Sequence, residues 1–403
     1  MSAVLLLALQ PFSSYVAAVP FIKEEWGLSN SQAGVVFSIY LVGYALSSLV
    51  VVPLTDKFSP MRVMVAGVMV VTLGNLLFPV LAWGFWSGSL LRAVTGAGHV
   101  AAYIPGIRLV SERYSGTRRG TAVGVFVGVG YAGVTLSYTF MGLLLSYTEA
   151  WRLAYLIMAA ASISGMVLIL FLAQSGKQVE NNGPTMRAGK GRLDLKVLGN
   201  KPVLLVILAY ALHTAELYLA RLWFPLLLGV VWIQQGRAEL EAAALAATLA
   251  GFMFTTGIIG VFTGGWLSDR LGRSYGAALI FMLSGVCSFV AGWLLGAPPV
   301  FLIVLGFFYG FLTAADSAIY STAITELSPP EQLGSTQAAQ SFIGFAIGAV
   351  VPVMAGFILD LAQAELKWGF AFSFNGLLAL MGVGALVWLR RLPQAVKMAA
   401  GKG

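Results

Sequence analysis

Six ionisable side chains stand in stretches that are otherwise almost wholly apolar: Arg92, His99, His213, Glu216, Arg221 and Asp316. Their types set the chemistry open to them. A guanidinium holds its N–H donors in a fixed planar fork that matches a carboxylate or another oxyanion. A carboxyl group withdrawn from water can load and release a proton near neutral pH. Arg92 and Arg221 are therefore candidates for binding an anion, with His213 beside them, and Glu216 and Asp316 for carrying a proton. Tyr15, Tyr131 and Tyr309 could add hydroxyls to the same cavity. The competing assignment is structural: permanent ion pairs of Glu216 and Asp316 with Arg221 or Arg92, an Arg92 neutralised by a neighbouring carbonyl or acid, and His99 as a satisfied buried histidine.

Helical spacing gives these residues common faces. At 3.6 residues per turn, Arg92, Thr95, His99 and Tyr103 share one stripe, and Tyr309, Thr313, Asp316 and Tyr320 share another. His213, Glu216 and Arg221 spread over about 140°, so a straight helix could not turn all three inward.

The elements that carry them must be membrane spans. The chain has 403 residues, 59% hydrophobic and only 10% charged, where a soluble domain has about 25% charged residues. A span needs about 20 mostly apolar residues. Continuous apolar runs exclude the alternating pattern of a membrane barrel. Twelve runs are expected, near 2–22, 31–54, 61–83, 87–111, 118–146, 150–173, 201–231, 242–268, 274–296, 298–325, 332–361 and 367–390. The first is read as a span rather than a cleavable signal, because it lacks a basic leader; its short lead-in suggests a slightly shortened start.

The polar, basic stretch 174–200 divides the runs into two sets of six. The expected organisation is a six-helix bundle over 1–173, a cytoplasmic linker over 174–200, a second bundle over 201–391 and a cytoplasmic tail over 392–403. Of the 24 Lys and Arg, eighteen fall on the side of the termini and the linker and four on the other. Positive charge favours the cytoplasmic side, so both termini are expected there, in a multi-pass protein of the cell (inner) membrane. The net charge of +8 is thereby explained by topology, without nucleic-acid binding.

The halves repeat one another. Asp56 matches Asp269 at an offset of 213, while Gly96 matches Gly310, Glu112 matches Glu326 and Gly120 matches Gly334 at 214. Six spans per half make the repeats parallel, about an axis along the membrane normal. The stretch Gly265-Trp-Leu-Ser-Asp269-Arg270-Leu-Gly272-Arg273 resembles the loop signature of the major facilitator superfamily. Its first-half copy keeps Asp56 and Lys57 but has Ser59 in place of the glycine. Arg92 to Gly98 is similar to the fourth-helix motif of that family, and Glu112 to Gly124 to its fourth-to-fifth helix connection. Helix seven is more distantly similar to cyanate- or nitrate-type permeases.

The resemblance implies twelve transmembrane helices in two six-helix pseudo-repeat bundles around a central cavity, an all-α membrane protein. It further implies gating at the cytoplasmic face by Asp56, Lys57, Glu112, Asp269, Arg270 and Arg273, with Arg270 and Arg273 bridging to an acid such as Glu112. Helices five, eight and eleven, with Gly120, Gly124 and Gly128, Gly257, Gly260 and Gly264, and Gly344 and Gly348, are expected either to meet across the halves or to pack within one. Helix five lacks the Gly-Pro signature of drug–proton antiporters.

No catalytic residues, cofactor or metal site emerge: the chain has no phosphate-binding loop and no His/Cys/acid cluster at ligand spacing. Lone Cys287 leaves no intramolecular disulfide. The expected function is secondary active transport of a small organic or inorganic anion by alternating access, coupled to protons, by a functional monomer among membrane lipids. The alternatives are proton-driven efflux of an amphipathic or cationic compound, and a transporter-like sensor.

Overall fold

The computed structural model describes residues 1–114, 117–148, 150–175, 195–329 and 332–403, without the side chains of 52, 53, 56, 117–121 and 195. Among them there is no strand. Fourteen α-helices follow one another: α1 (Ser2–Ala8), α2 (Ser14–Trp26), α3 (Asn30–Lys57), α4 (Pro60–Leu81), α5 (Phe85–Arg113), α6 (Thr117–Thr148), α7 (Trp151–Ser175), α8 (Lys201–Gln234), α9 (Glu239–Leu271), α10 (Arg273–Ala291), α11 (Pro299–Ala315), α12 (Ser317–Leu327), α13 (Leu333–Leu361) and α14 (Lys367–Arg390). They cover all twelve apolar runs. Ten stretches are long and apolar enough to cross a membrane, α11 and α12 counting as one. The other two runs are α1–α2, which is interrupted, and α5, which carries Arg92 and His99.

Both interruptions have local causes. Pro11, which has no N–H, sits in the break between α1 and α2. The freed backbone N–H of Ser13 donates to the Ser137 hydroxyl at 3.0 Å. No proline stands between α11 and α12. There Asp316 turns its carboxylate to neighbouring side chains, and the N–H of Ile319 closes a tight turn on the Asp316 carbonyl. Helix seven, where a break would have been needed to turn three charges inward, is continuous as α8.

The first seven helices form one bundle and the last seven the other. Within the first, α4 packs on α5 and α7, and α3 on α5; within the second, α10 packs on α14, and α9 on α11. The repeat seen in sequence is physical. A Cβ on Gly96 would lie 1.9 Å from the Tyr40 carbonyl oxygen, and one on Gly310 2.3 Å from that of Met253. These are the same contact at offsets of 214 and 213. Likewise Asn75 Nδ2 donates to the Ser162 hydroxyl at 3.2 Å, and Asn375 Nδ2 to the Ser288 hydroxyl at 3.0 Å. The pair is exchanged between helices, again at an offset of 213.

Both termini and the described helix ends that flank the basic loops lie on one face, termed here the basic face; the other is the far face. The bundles meet through α3 on α13 and α6 on α9. Close backbone approach occurs where glycine permits it: Gly34 against the Pro352 carbonyl, Gly356 against that of Asn30, and Gly142 against that of Ala244. These lie toward the far face, with Gly251 against Thr139 deeper. Toward the basic face a Cβ on Gly124, Gly128, Gly265 or Gly334 would meet nothing within 4 Å. The bundles therefore touch at the far face and part toward the basic one. The glycine stripes of helices eight and eleven pack within their own bundle: Gly257, Gly260 and Gly264 face Ala314, Phe311 and Ala315, while Gly344 and Gly348 face Tyr210 and Thr214. The expected tail over 392–403 is folded back. Met398 is fully buried, and the Ala399 N–H donates to Glu326 at 3.0 Å. Residues 176–194 of the expected linker lie outside the described residues.

Gly96→Ala is expected to lower the melting midpoint of the purified protein by several degrees, since overpacking typically costs about 1–3 kcal/mol. Gly124→Ala should leave it unchanged or raise it slightly, because alanine is favoured over glycine in a helix by about 1 kcal/mol. Scanning fluorimetry in detergent checks both; equal midpoints would contradict the packing.

Candidate functional site

Arg92 is brought inside the first bundle by the small-residue contact of α5 on α3. Its side chain is 1% exposed. The guanidinium lies over the rings of Tyr40, at 4.5 Å, and Tyr15, at 5.0 Å. None of its three nitrogens makes a well-aimed hydrogen bond among the described residues, although the Tyr155 hydroxyl lies within hydrogen-bonding reach. Tyr15 is fixed beneath it by a 2.9 Å bond from its hydroxyl to the Ala33 carbonyl. Arg221, on α8, stands at the junction of the bundles, over the rings of Tyr131 at 5.3 Å and Tyr218 at 5.6 Å. Between the two arginines stands Tyr138, within electrostatic reach of both, whose hydroxyl donates to the Arg221 carbonyl at 2.7 Å. The permanent ion pairs of these arginines with Asp316 and Glu216 are not formed here.

Both acids lie elsewhere. Asp316 pairs with His213, Oδ1 to Nδ1 at 3.0 Å, though the ring is turned off the hydrogen-bond axis. Its Oδ2 accepts from the Tyr320 hydroxyl at 2.6 Å. His213 Nε2 is 3.0 Å from the Ser317 hydroxyl, and Tyr131 OH donates to Ser317 at 3.4 Å from the other bundle. Glu216 points into the second bundle. Its Oε2 accepts from Ser284 at 2.9 Å, and its Oε1 has no well-aimed hydrogen bond among the described residues, although the Tyr309 hydroxyl lies within reach of the carboxylate. Tyr309, expected at the cavity, is fully buried in that same interior and accepts from Asn375 Nδ2 at 3.1 Å. His99 is satisfied by the Tyr40 hydroxyl at 2.9 Å.

So the structure gathers Arg92 with Tyr15, and Arg221 with Tyr131, and joins His213 to Asp316. It leaves Glu216 and Tyr309 apart from the arginines. Sequence spacing missed this division because α8 is buried on nearly all sides, so its faces cannot be ranked by polarity alone.

On the basic face, the expected bridges across the bundles are absent from this conformation. Arg273 binds Asp269 and Glu326 in its own bundle, the latter at 2.9 Å. Glu112 pairs with Arg108 of its own helix at 2.9 Å. Arg270 lies over Trp266 at 4.0 Å, and Lys57 is exposed. The separation of the bundles at this face accounts for the difference. The Asp56 side chain lies outside the described residues.

A latch that sequence reasoning missed closes the far face. Asp360, near the end of α13, accepts from the Asn30 N–H, the Asn30 side-chain amide and the Ser31 N–H at 2.9, 2.8 and 2.8 Å. It thus caps the first turn of α3 from the opposite bundle, where backbone donors and the helix dipole favour an anion. Lys23 donates to the Asn30 side-chain oxygen. A cavity of about 470 Å³ adjoins this latch, lined in part by Lys23, Asn30, Trp223, Lys367 and Trp368. The Ser29–Gln32 capping box marks in sequence where α3 starts. Nothing local marks Asp360 as its partner.

Two helical bundles that meet at one face and part at the other, around buried cationic side chains, define a membrane transporter class. The family model of the Major Facilitator Superfamily matches residues 1–273 and 239–402. The chain belongs to that superfamily, and it is a multi-pass membrane protein. The chain is 25% identical over 400 residues to a probable sulfoacetate transporter of Cupriavidus necator, covering 92% of this chain and 87% of that protein. It is 23% identical over 368 residues to a hexuronate transporter of Bacillus subtilis, covering 86% and 84%. It is also 23% identical over 415 residues to a D-galactonate transporter of Escherichia coli, covering 94% and 90%. Among solved structures it is similar to a bacterial homolog of the human lysosomal transporter Spinster in an inward-facing, occupied conformation, at a TM-score of 0.73 and 14% identity, covering 97% and 96%. The nucleoside transporter NupG matches at 0.75 and 15%, covering 96% and 98%.

Asp360→Asn keeps the size of the latch and removes its charge. Losing about 1–2 kcal/mol of closure shifts an opening equilibrium roughly 5- to 30-fold. A cysteine at Ala17, beside the far cavity, with Cys287 replaced by serine, should then react correspondingly faster with a membrane-impermeant maleimide applied from that face. An unchanged rate would show that Asp360 does not hold the bundles together.

Proposed function

We propose that the protein is a secondary active transporter of small organic anions, carboxylates or sulfonates, working by alternating access with proton coupling. The observation that carries this reading is Arg92. Removing an ion from water costs several kcal/mol even after relaxation. A cation–π contact returns about 0.5–2 kcal/mol, and each buried donor without a partner costs about 1–3 kcal/mol more. Two tyrosine rings and the poorly aimed Tyr155 hydroxyl do not offset that. An anionic ligand would, by neutralising the charge and accepting from the fork. Relatives named for hexuronate, sulfoacetate and D-galactonate support the same chemistry.

In this reading Arg92, Arg221, Tyr15 and Tyr131 contact the substrate, and His213 with Asp316 carries the proton. Glu216 is a second buried acid against that pair. The basic face is cytoplasmic, both termini lie there, and the membrane is the inner one. The conformation is inward-open, with the Asp360 latch closed. When the cytoplasmic face closes, Asp56, Lys57, Glu112, Asp269, Arg270 and Arg273 exchange their present partners for ones across the bundles. The two bundles, 1–173 and 201–391, rock as units, and one chain suffices for transport.

Arg92→Lys and Arg221→Lys test the binding role, because lysine keeps the charge but not the fork. Loss of a bidentate, charge-assisted contact worth about 1.5–3 kcal/mol lowers anion uptake roughly 10- to 150-fold. Uptake of labelled D-glucuronate, D-galactonate and sulfoacetate by proteoliposomes measures it. Normal uptake by both lysine variants would sink the reading. Accumulation of a lipophilic cation against a reversed proton gradient would establish efflux instead.

A further inference from the structure

A chain of hydrogen-bonding groups runs from the first bundle into the second: Tyr131, Ser317, His213, Asp316, Tyr320, with successive separations of 3.4, 3.0, 3.0 and 2.6 Å. Only its first member belongs to the first bundle. That member also carries the Arg221 guanidinium over its ring at 5.3 Å. We propose that Tyr131 and Ser317 form the link between the anion site and the proton site, with Ser317 as the entry of a relay to Asp316 and Tyr131 as the residue that orients it. This rests on the proton-coupled reading above and adds the route and the coupling element.

The hydrogen positions follow from the order of the groups. Tyr131 OH donates to the Ser317 oxygen, so the single hydrogen of Ser317 is directed at His213 Nε2. His213 must then accept at Nε2 and carry its hydrogen on Nδ1, facing the ionised Asp316. On loading, a proton from the junction reaches the Ser317 oxygen as Ser317 passes its own hydrogen to Nε2. The Nδ1 hydrogen moves to Asp316 Oδ1. One proton has entered, Asp316 is neutral, Ser317 is restored and the imidazole has changed tautomer without accumulating charge. In the present conformation the last transfer is held back, because Nδ1 stands 3.0 Å from Oδ1 but off axis.

Among the described residues, Tyr103 on α5 and Tyr218 on α8 lie within electrostatic reach of Tyr131. Tyr210 on α8 and Tyr320 on α12 flank the His213 ring, with centroids 6.3 and 5.2 Å away, and Phe281 on α10 stands edge-on at 6.1 Å. Glu216 on α8 is the other acid within electrostatic reach of Asp316. Arg221 reaches the chain through Tyr131. An anion that draws the guanidinium off the Tyr131 ring therefore disturbs the hydroxyl that aligns Ser317. Rocking of the bundles, which carries Tyr131 away from Ser317, does the same.

Two readouts test this on the full chain. The protein has two histidines, so nitrogen NMR of 15N-histidine-labelled protein, with a His99→Phe variant for assignment, reports His213 directly. Without substrate, His213 should be the neutral Nδ1–H tautomer at the alkaline end of a pH titration and should convert to Nε2–H on acidification. Tyr131→Phe and Ser317→Ala should each abolish the alkaline preference. An Nε2–H or doubly protonated ring at alkaline pH, or no change in either variant, overturns the relay. In proteoliposomes loaded with a pH dye, Ser317→Ala should keep D-glucuronate counterflow while proton movement per anion falls at least tenfold, and Ser317→Thr should restore it. Equal loss of counterflow and proton movement would mark Ser317 as structural and overturn the proposal. If the wild type moves D-glucuronate with no proton at all, the proton-coupled reading fails instead, whatever the tautomer.

Discussion

A guanidinium enclosed by tyrosine rings, with no ion-pair partner among the described residues, is costly to bury, and the reading of the site follows from that cost. Arg92 cannot shed its charge, since an arginine side chain stays protonated in proteins. The fold meets this with aromatic faces, which attract a cation without neutralising it. A fixed carboxylate would have been cheaper to fold around, and among the described residues two acids, Glu216 and Asp316, are buried in the second bundle. Both are turned elsewhere: Asp316 to His213 and Tyr320, Glu216 to Ser284. Acids and arginines are thereby kept apart, which is the separation that the anion and proton roles proposed above require.

The contacts between the two bundles differ with depth. At the far face they are joined by Asp360 on the first turn of α3 and by backbone contacts at Gly34, Gly142 and Gly356. At mid-depth they are joined by Tyr131 to Ser317 and Tyr138 to the Arg221 carbonyl. Toward the basic face the ionic side chains are satisfied within one bundle, as Arg273 is by Asp269 and Glu326. The polar contacts among these, such as Asp360 on α3 and Tyr131 on Ser317, can be exchanged for others, whereas glycine contacts inside each bundle, such as Gly96 on Tyr40, hold its helices at backbone distance. Rigid bundles joined by exchangeable contacts are what a rocking motion requires.

Much of this was legible in the sequence, for definite reasons. A charge inside an apolar run is conspicuous, so Arg92, Arg221, His213, Glu216 and Asp316 could be picked out one by one. The repeat was legible because glycines at close backbone contacts tolerate no side chain, which keeps Gly96 and Gly310 in register. What could not be read was direction. Glu216 and Arg221 lie five residues apart on a helix buried nearly all round, and only the neighbouring helices decide that one faces Ser284 and the other Tyr131. Ser317 was invisible because serine is unremarkable in a span. Asp360 was overlooked because its partners lie 330 positions away. The residues expected to gate were picked by motif, and a motif does not say which partners they have in the conformation a chain occupies.

The central claim is that the arginines are held for an anion. Titration calorimetry of the purified protein with D-glucuronate, D-galactonate and sulfoacetate, each beside an uncharged analogue of equal size and with a lipophilic cation as comparison, tests it without any assumption about coupling. At least one acid should bind while its neutral analogue does not, and Arg92→Lys should abolish the difference. Equal binding of acid and neutral analogue, or tightest binding of the cation, would contradict the account.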